Sequence, residues 1–313
     1  MTYGEEPEVG RRDAAREKAR SLREAHVKRE RRNRRILFGS IAGGVVVILI
    51  VVVLVLVTSI RPAAAGPLNM QSDGITIGKG VKADLTPAIP ANGHPTPTER
   101  NKKSSVVTIR LYADFLCPVC GQFVRANQAQ ITSWLKDGAA TIEIHPISVL
   151  DRVSLGTSYS TRAANAAACV ANYSPDDFWA FTEAMYAKQP KQQVAGPSNN
   201  QILKTIRDAG VANLSQITPC VDNQKFKSWV TDATNRATDG PLPDSNIPNV
   251  TTPPVIIVDG LQYQSADYSS ATDFHAFVVQ AAGAAFSPEV ATPTPTPTPT
   301  ATTPPKKHHH KKK

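Results

Sequence analysis

A Cys-x-x-Cys pair between a predicted strand and a predicted helix constrains this chain more than any other feature. The residues Cys-Pro-Val-Cys at 117–120 follow an apolar run at 106–112 and precede a helical pattern. A cysteine at the start of a helix lies beside unpaired backbone N–H groups and the positive end of the helix dipole. That setting lowers a thiol pKa from about 8.5 to roughly 3.5–7.5 and stabilises the reactive thiolate. The motif predicts a redox-active pair, with a zinc half-site or a structural loop as alternatives.

An uncharged apolar run at 36–60 predicts a transmembrane helix. A helix of about 25 residues is about 37 Å long, which suffices to cross a hydrocarbon core of about 30 Å. Basic residues are concentrated just before it, at 28–35, so the positive-inside rule places residues 1–35 in the cytoplasm and the rest outside. A signal peptide cleaved after Ala65 is the alternative, although signal sequences usually have a shorter apolar run. Either way, the C-terminal part is exported to a compartment that permits disulfides.

The net charge of +9 does not indicate a nucleic-acid-binding protein. Residues 1–35 contain 12 basic and 7 acidic residues and 306–313 contain five lysines, so the remainder is almost neutral. We interpret the N-terminal charge as a topology signal that contacts anionic lipid, with a cytoplasmic partner as the alternative. The lysines and three adjacent histidines of the tail favour contact with an acidic surface over metal binding, because the positive field opposes a cation.

Composition divides the chain into five segments. Residues 291–305 are only Ala, Thr and Pro, which cannot build a core. The longest segment, of about 210 residues, is large enough for one core with an inserted subdomain. The segments are a basic cytoplasmic segment (1–35), the transmembrane helix (36–60), a linker (61–73), the folded domain (74–285) and a disordered Thr/Pro-rich and Lys/His tail (286–313).

The apolar periodicity of the folded domain predicts the order βαβ, a helical insertion, then ββα. Strand, helix and strand at 105–112, 118–135 and 140–146 form a parallel unit, because such crossovers join parallel strands. Asp259-Gly260 between two strand patterns indicates a hairpin. The other predicted elements are an edge strand (74–78), a surface connection (79–103), a helical insertion at about 155–245 with helices at 162–171, 176–187, 200–209 and 222–237, hairpin strands at 255–258 and 261–264, and a last helix (272–282).

This order resembles the thioredoxin fold with the helical insertion of the DsbA family. Three segments carry the resemblance: the block around the cysteines at 114–123, an aromatic helix at 178–186, and a proline-containing segment at 249–260. The tethered form with four cysteines looks most like the actinobacterial, mycobacterial-type members. The resemblance implies an α/β, thioredoxin-like fold with an inserted α-helical subdomain. It also implies a protein disulfide oxidoreductase that needs no cofactor and acts on exported proteins with free thiols.

The resemblance assigns catalytic roles to Cys117, Cys120 and Pro254. Cys117 is the attacked sulfur, Cys120 is its buried partner, and Pro254 is a cis-proline that packs against the disulfide. Pro253 stands where the family usually has Thr or Val, and it lacks the N–H that normally pairs with bound substrate. The best-known DsbA-type pair has a histidine between its cysteines, where this chain has Val119. We therefore expect this protein to be a less extreme oxidant. Pro118 suits the first helical turn, where no hydrogen bond is lost.

Several other residues have both a functional and a structural interpretation. Asp114 either tunes proton transfer at Cys120 or is a solvated or capping loop carboxylate. His145 precedes a proline at a strand end, and a structural histidine with satisfied hydrogen bonds is preferred to a catalytic one. Phe178 and Trp179 are expected in the core rather than on a substrate groove.

Cys169 and Cys220 remain once Cys117 is paired with Cys120. A disulfide that closes the loop of about 50 residues between them would stabilise the fold by roughly 4 kcal/mol. The rival interpretation is a four-cysteine zinc site. Zinc sites usually take their ligands in two close pairs, and these two cysteines are far apart in sequence, so we expect the disulfide and no metal.

Three functions are compatible with these features. The first is an oxidase that inserts disulfides into exported proteins and is reoxidised by a membrane partner of the VKOR or DsbB kind. The second is a reductase or isomerase of the same fold, and the third is a non-catalytic binding module. No recognisable dimerisation domain is present in the sequence, so we expect a monomer, which favours the oxidase over an isomerase.

Overall fold

The computed structural model describes residues 65–100 and 105–286, together with 16–18, 20, 23–24, 28–32 and 43–53. The chain divides into two compact units, Met1–Pro62 and Ala63–Lys313. All described residues before 54 are helical. Among the described residues, no helix is both long and apolar enough to cross a membrane. Most of the predicted transmembrane segment 36–60, and the predicted tail from 287 onwards, lie outside the described residues.

A six-stranded mixed sheet forms the centre of the second unit. Its strand order is β2-β1-β4-β3-β5-β6, in which β3 and β4 are parallel and every other neighbouring pair is antiparallel. The parallel pair is joined by a crossover helix, as the sequence predicts. The strands are β1 (Ile75–Gly78), β2 (Lys82–Ala83), β3 (Val107–Ala113), β4 (Ala140–Pro146), β5 (Val255–Val258) and β6 (Leu261–Tyr263).

The described part of this unit contains seven helices. The first crosses from β3 to β4, five lie between β4 and β5, and the last follows β6. They are α1 (Pro118–Asp137), α2 (Tyr159–Tyr173), α3 (Phe178–Ala187), α4 (Asn199–Asp208), α5 (Leu214–Asp222), α6 (Lys227–Asp239) and α7 (Ala271–Phe286), with short 3-10 turns at Lys79–Val81, Asp151–Val153 and Pro175–Asp177. The predicted thioredoxin-like α/β fold with helical content is confirmed.

Strand β3 is buried on both faces, and this places its C-terminal end inside the protein. Ile109 and Leu111 are completely buried in the large core cluster with residues of α1 and α7. The alternate residues Arg110 and Tyr112 lie on the opposite face and are also buried. A nearly continuous apolar run is typical of a strand covered on both sides.

The N-terminal boundary of this unit differs from the sequence prediction. Residues 65–73 were predicted as linker, yet Met70 is fully buried and Asp73 accepts two hydrogen bonds from Arg236, at 2.6 and 2.8 Å. The prediction that 74–78 is an edge strand is also wrong. β1 pairs with β4 on one side and β2 on the other, because the chain after Gly78 turns back and adds the short strand β2.

The helical insertion contains one helix that the sequence did not predict. α5 carries Pro219 in its interior, and a proline normally ends a helix because it has no N–H and its ring crowds the preceding turn. The predicted helix 222–237 is in fact the end of α5, a turn, and α6, which begins at Lys227. The hairpin prediction holds: Asp259 and Gly260 both have positive φ angles, 48° and 87°, and connect β5 to β6.

Candidate active site

The Cys-x-x-Cys motif lies where β3 passes into α1. After β3 ends at Ala113, a turn forms in which the Cys117 N–H donates to the Asp114 carbonyl oxygen at 2.9 Å. Helix α1 then begins at Pro118, and Cys117 is its N-cap residue. A proline at this position costs no hydrogen bond, because the first N–H groups of a helix have no partner within it.

Cys117 and Cys120 form a disulfide, with their Cα atoms 5.2 Å apart. Cys120 is completely buried, and Cys117 is 3% exposed. The backbone N–H of Cys120 donates to Cys117 Sγ at 3.1 Å, which is the N-capping bond of α1. A sulfur in this position receives both a direct N–H and the positive end of the helix dipole, and both favour a thiolate when the disulfide is reduced.

The segment before β5 packs directly against Cys117. The peptide bond between Pro253 and Pro254 is cis, and Pro254 immediately precedes β5. The Pro253 carbonyl oxygen lies 3.3 Å from Cys117 Sγ. A carbonyl oxygen accepts a hydrogen bond from a thiol but repels a thiolate, so this contact opposes the effect of the Cys120 N–H.

The remaining residues expected to tune the pair lie around it. Pro118 is exposed and Val119 is half-buried against the large core cluster, whereas Pro253 and Pro254 are both buried. Val119 supplies only apolar contact between the cysteines. The structure therefore brings the cysteines and the two prolines together at one place, from sequence positions more than 130 residues apart.

Asp114 is completely buried, so of the two structural alternatives, solvated or capping, the solvated one is wrong. Its carboxylate accepts hydrogen bonds from Leu116 N at 2.8 Å, Leu150 N at 3.0 Å and Ser160 Oγ at 2.7 Å. Burial raises the pKa of Asp114 to about 6, although these three hydrogen bonds oppose the rise. Asp114 thus shapes the loop before Cys117, and its described contacts do not include either cysteine sulfur.

Gln189 is a residue of the site that sequence reasoning missed. It lies just beyond α3, and its side-chain amide donates to the carbonyl oxygens of Cys117 at 2.8 Å and Phe115 at 3.0 Å. Arg125 of α1 donates to Gln189 Oε1 at 3.4 Å and to the Tyr186 carbonyl oxygen at 2.8 Å, and so anchors this region. Gln189 therefore connects the active-site turn to the helical insertion through hydrogen bonds.

In the sequence, Gly121 is the one residue that hints at this contact, because it leaves room for the Gln189 side chain. A Cβ added at Gly121 would collide with the Gln189 side chain and approach Arg125 Nη1 to 2.7 Å. A side chain at the position directly after the second cysteine would therefore force the Gln189 amide and the Arg125 guanidinium to move. The sequence shows the glycine but not the residue, 68 positions away, that fills the space.

The other singled-out residues lie away from the redox pair. Cys169 of α2 and Cys220 of α5 form a second disulfide, with Cα atoms 5.9 Å apart. Phe178 is fully buried and Trp179 is 2% exposed, so both belong to the core. His145 is buried with Nε2 3.5 Å from the Glu143 carboxylate, which fits the preferred interpretation of a structural histidine, although Nδ1 has no hydrogen-bond partner among the described residues.

Comparison with known proteins places this geometry in a family. A family model described as Thioredoxin matches residues 95–277, which is more than half of the chain. Among curated proteins, the serine/threonine-protein kinase PknE of Mycobacterium tuberculosis is 30% identical over 112 residues, or 35% of this chain and 18% of the kinase. The chain thus spans less than a fifth of the length of this relative.

Solved structures with a similar fold include two from Mycobacterium tuberculosis. Reduced DsbA is 25% identical, with 68% of this chain and 99% of that chain covered and a TM-score of 0.48. The reduced form of the oxidoreductase DsbG is 24% identical, with coverages of 70% and 96% and a TM-score of 0.49. From the family match and the bonded cysteine pair at the start of α1, the chain belongs to the thioredoxin family and is a thiol-disulfide oxidoreductase.

Proposed function

We propose that this protein introduces disulfides into exported proteins while residues 36–60 anchor it in the cell membrane. In this proposal residues 1–35 are cytoplasmic and the thioredoxin domain is extracytoplasmic. Residues 43–53 are helical, with exposed valine, isoleucine and leucine side chains, and the basic residues at 28–35 precede them. An apolar helix with flanking positive charge on one side supports this topology.

The proposed reaction transfers a disulfide from the protein to its substrate. A substrate thiolate attacks Cys117 Sγ, the bond to Cys120 breaks, and Cys120 leaves as a thiolate that takes up a proton. The substrate's second thiolate then attacks its own sulfur in the mixed disulfide and displaces Cys117. The substrate loses two electrons and gains a disulfide, and the protein gains those two electrons as a dithiol.

The observation that carries the oxidising direction is the Cys120 N–H directed at Cys117 Sγ at the start of α1. Because this N–H and the helix dipole stabilise the thiolate, they stabilise the reduced protein relative to the oxidised one. A stable reduced form makes the disulfide a stronger oxidant. Cys120 is fully buried, which leaves Cys117 as the sulfur that a substrate reaches first.

Repeated turnover needs an electron acceptor for the reduced pair. We propose a membrane partner of the VKOR or DsbB kind, which fits a domain held close to the membrane by its anchor. The expectation of a monomer belongs to the same proposal, because one pair of cysteines completes the reaction within a single chain.

A disulfide reductase of the same fold is the second candidate, and one contact favours it. The Pro253 carbonyl oxygen at 3.3 Å from Cys117 Sγ stabilises the thiol rather than the thiolate. A less stable thiolate makes the disulfide a weaker oxidant and moves the protein towards reduction. Pro253 also offers no N–H to a bound peptide chain.

Oxidative refolding of a reduced exported protein tests the proposed oxidase. We expect Cys117→Ala to abolish the acceleration of refolding, because the attacked sulfur is gone. The matched variant Cys120→Ala keeps Cys117 as a thiol; mixed with the oxidised substrate, its thiolate should attack a substrate disulfide, displace a substrate thiolate and accumulate as a mixed disulfide, visible by mass. Undiminished refolding with Cys117→Ala would show that the assignment is wrong. Reduction of substrate disulfides by the dithiol form, without net oxidation, would favour the reductase.

A further inference from the structure

We propose that an exposed apolar face of the thioredoxin domain, formed by residues 65–68 and 85–90, lies on the surface of the lipid bilayer. This face, called the basal face below, carries Leu68 and Leu85, which are 46% and 74% exposed. The inference rests on the membrane anchor proposed above, because the anchor determines which surface of the domain is nearest to lipid. It goes beyond the anchor by giving the domain one orientation on the membrane.

The two segments of the basal face are paired with each other. Two backbone hydrogen bonds of 2.8 Å connect them in antiparallel register, from Gly66 N to Ile89 O and from Asn69 N to Thr86 O. This register places Leu68 opposite Pro87, which is also exposed. Leu85 is two residues from Pro87, and alternate residues of an extended segment point to the same side. These three apolar side chains therefore form one surface.

The basal face contains no charged residue. Neither 65–72 nor 85–93 includes Asp, Glu, Lys or Arg. Asp84 is next to Leu85 in the chain, but it lines a separate groove with Thr76 and Thr141. Exposed apolar surface that is free of charge marks sites of contact with proteins or membranes.

The short connection to the predicted transmembrane segment indicates that lipid covers this face. The fold already includes Gly66, because a Cβ added there would lie only 3.0 Å from Trp229 Cδ1, and Met70 is fully buried. Five residues, 61–65, separate Gly66 from the predicted span at 36–60. Even a fully extended connection of this length reaches at most about 20 Å. Since Gly66 belongs to the basal face, the anchor keeps this face beside the bilayer.

A small apolar face is sufficient when the protein is already anchored. For a chain held in the membrane, docking of the domain is an intramolecular step with a high effective concentration, so a weak contact is populated. Tyr173 and Lys225 add groups that suit the headgroup region, since Lys225 Nζ donates to Tyr173 Oη at 2.8 Å and Lys225 is exposed. The residue before Tyr173 is Asn172, whose Oδ1 accepts from Leu68 N at 2.9 Å.

Helix α2 connects the basal face to the active-site turn. Near its start, Ser160 donates to Asp114 at 2.7 Å, and near its end Asn172 accepts from Leu68. The rise of the helix between Ser160 and Asn172 is about 18 Å. With the basal face on lipid, the active-site turn lies at the far end of α2, where exported substrates reach Cys117. A membrane partner must then project from the bilayer to reoxidise the pair.

Quenching of tryptophan fluorescence by brominated lipid tests this orientation. The full chain is reconstituted in vesicles of phosphatidylcholine and phosphatidylglycerol, with or without bromine on the acyl chains. Leu85→Trp places the probe on the basal face, and the matched variant Leu155→Trp places it on the turn just before α2, where Leu155 is 65% exposed. The fluorescence of the unsubstituted chain is subtracted. We expect bromine to remove about half or more of the added fluorescence of Leu85→Trp and none of that of Leu155→Trp, because interfacial apolar groups lie about 5–10 Å deep.

A third variant tests whether the apolar surface causes the contact. Adding Leu68→Asp to Leu85→Trp places a carboxylate on the basal face, and burying it against lipid is costly, so the quenching should fall to the level of Leu155→Trp. Thermal melting confirms that each variant is folded, and flotation with the vesicles confirms that each is anchored.

The outcomes distinguish this inference from the proposed anchor. Equal quenching of Leu85→Trp and Leu155→Trp in a chain that floats would overturn the orientation and leave the anchor intact. Shielding of Leu85→Trp from aqueous acrylamide without quenching by bromine would show that a second copy of the chain covers the face, which also overturns it. A chain that does not float with the vesicles would overturn the anchor and the orientation together.

Discussion

Cys117 Sγ has two close backbone neighbours, an N–H at 3.1 Å and a carbonyl oxygen at 3.3 Å. The N–H comes from Cys120 and favours the thiolate, while the oxygen comes from Pro253 and favours the thiol. The reactivity of this sulfur therefore depends on a balance between two nearby backbone groups. Residues that hold the active-site turn in place control that balance without touching the sulfur.

Gln189 is such a positioning residue, and Gln189→Glu tests it. The variant replaces the amide N–H donors to the Cys117 and Phe115 carbonyl oxygens with a negative charge. We expect the Cys117 thiol pKa to rise by about one unit and the reduction potential to fall by about 30 mV. Thiolate absorbance against pH and equilibration with glutathione measure the two quantities.

The matched control for this charge change is Gln193→Glu, on the exposed loop that follows. It should leave both the pKa and the potential at their wild-type values. If Gln189→Glu gave the same values as wild type, Gln189 would be a structural contact without influence on the redox pair.

Because of the buried Asp114 carboxyl, we expect the free energy of unfolding of this protein to fall as the pH rises. The folded-state pKa of Asp114 is about 6, against an ordinary value of 3.8, because it is buried. Between about pH 4 and pH 6 the folded protein keeps a proton that the unfolded chain has lost, so stability falls as the pH rises through that window. The contribution of the protonated Asp114 to the free energy of unfolding is complete below about pH 4 and is lost above about pH 6.

Asp114→Asn should remove this dependence. From pH 4 to pH 7, the free energy of unfolding of the wild type should fall by about 3 kcal/mol relative to that of the variant, as measured by urea denaturation. Asp239→Asn changes an exposed carboxyl at the end of α6 and serves as the control. Parallel pH curves for the wild type and Asp114→Asn would contradict this account.

At the scale of secondary-structure elements, the helical insertion supports the active-site turn rather than merely interrupting the sheet. α2 contributes Ser160, which donates to Asp114, and the chain after α3 contributes Gln189. α2 itself is almost entirely buried, and six of its 15 residues are alanine. Small side chains let neighbouring helices approach it closely on several sides.

The disulfide between Cys169 and Cys220 links α2 to α5. Its removal tests how much this link contributes to the free energy of unfolding. We expect the double variant Cys169→Ala/Cys220→Ala to lose about 4 kcal/mol of unfolding free energy, because the unfolded chain is no longer closed into a loop. The reduction potential of the other pair should not change. Denaturant unfolding with unaltered stability would show that this disulfide has no structural role.

Local patterns predicted most of these elements, and long-range contacts account for what was missed. The runs around Ile109 and Ile256 indicated strands because both faces are buried, and Asp259-Gly260 indicated the hairpin. α5 was missed because Pro219 suggests a helix end. The contacts of Asp114 with Leu150 and Ser160, and those of Gln189 with the active-site turn, connect positions at least 36 residues apart, and no local pattern encodes such pairs.

At the scale of the whole molecule, the two compact units divide the charge unequally. Basic residues are concentrated before the apolar run at 36–60 and again at 306–313, whereas 61–305 is close to neutral. This distribution fits a membrane-anchored export topology better than binding to an acidic polymer. The thioredoxin domain after residue 63 contains all four cysteines, so its redox chemistry takes place in a single unit.

Deletion of residues 36–60 tests the anchor. We expect the intact chain, carrying an N-terminal epitope, to stay in the membrane fraction after alkaline carbonate washing and to retain the epitope. The deletion variant should be found in the soluble fraction, because no other apolar run of similar length remains. Loss of the epitope from the mature wild-type protein would instead support a cleaved signal peptide.

The pair Cys117–Cys120 is proposed to be a disulfide donor, and its reduction potential tests this directly. Equilibration of the full chain with glutathione buffers, followed by mass analysis of the two cysteines, measures its reduction potential. We predict a value between about −120 and −180 mV, because the Cys120 N–H and the start of α1 stabilise the reduced form. A value near −270 mV, which is typical of a reductant, would contradict the oxidase and favour the reductase.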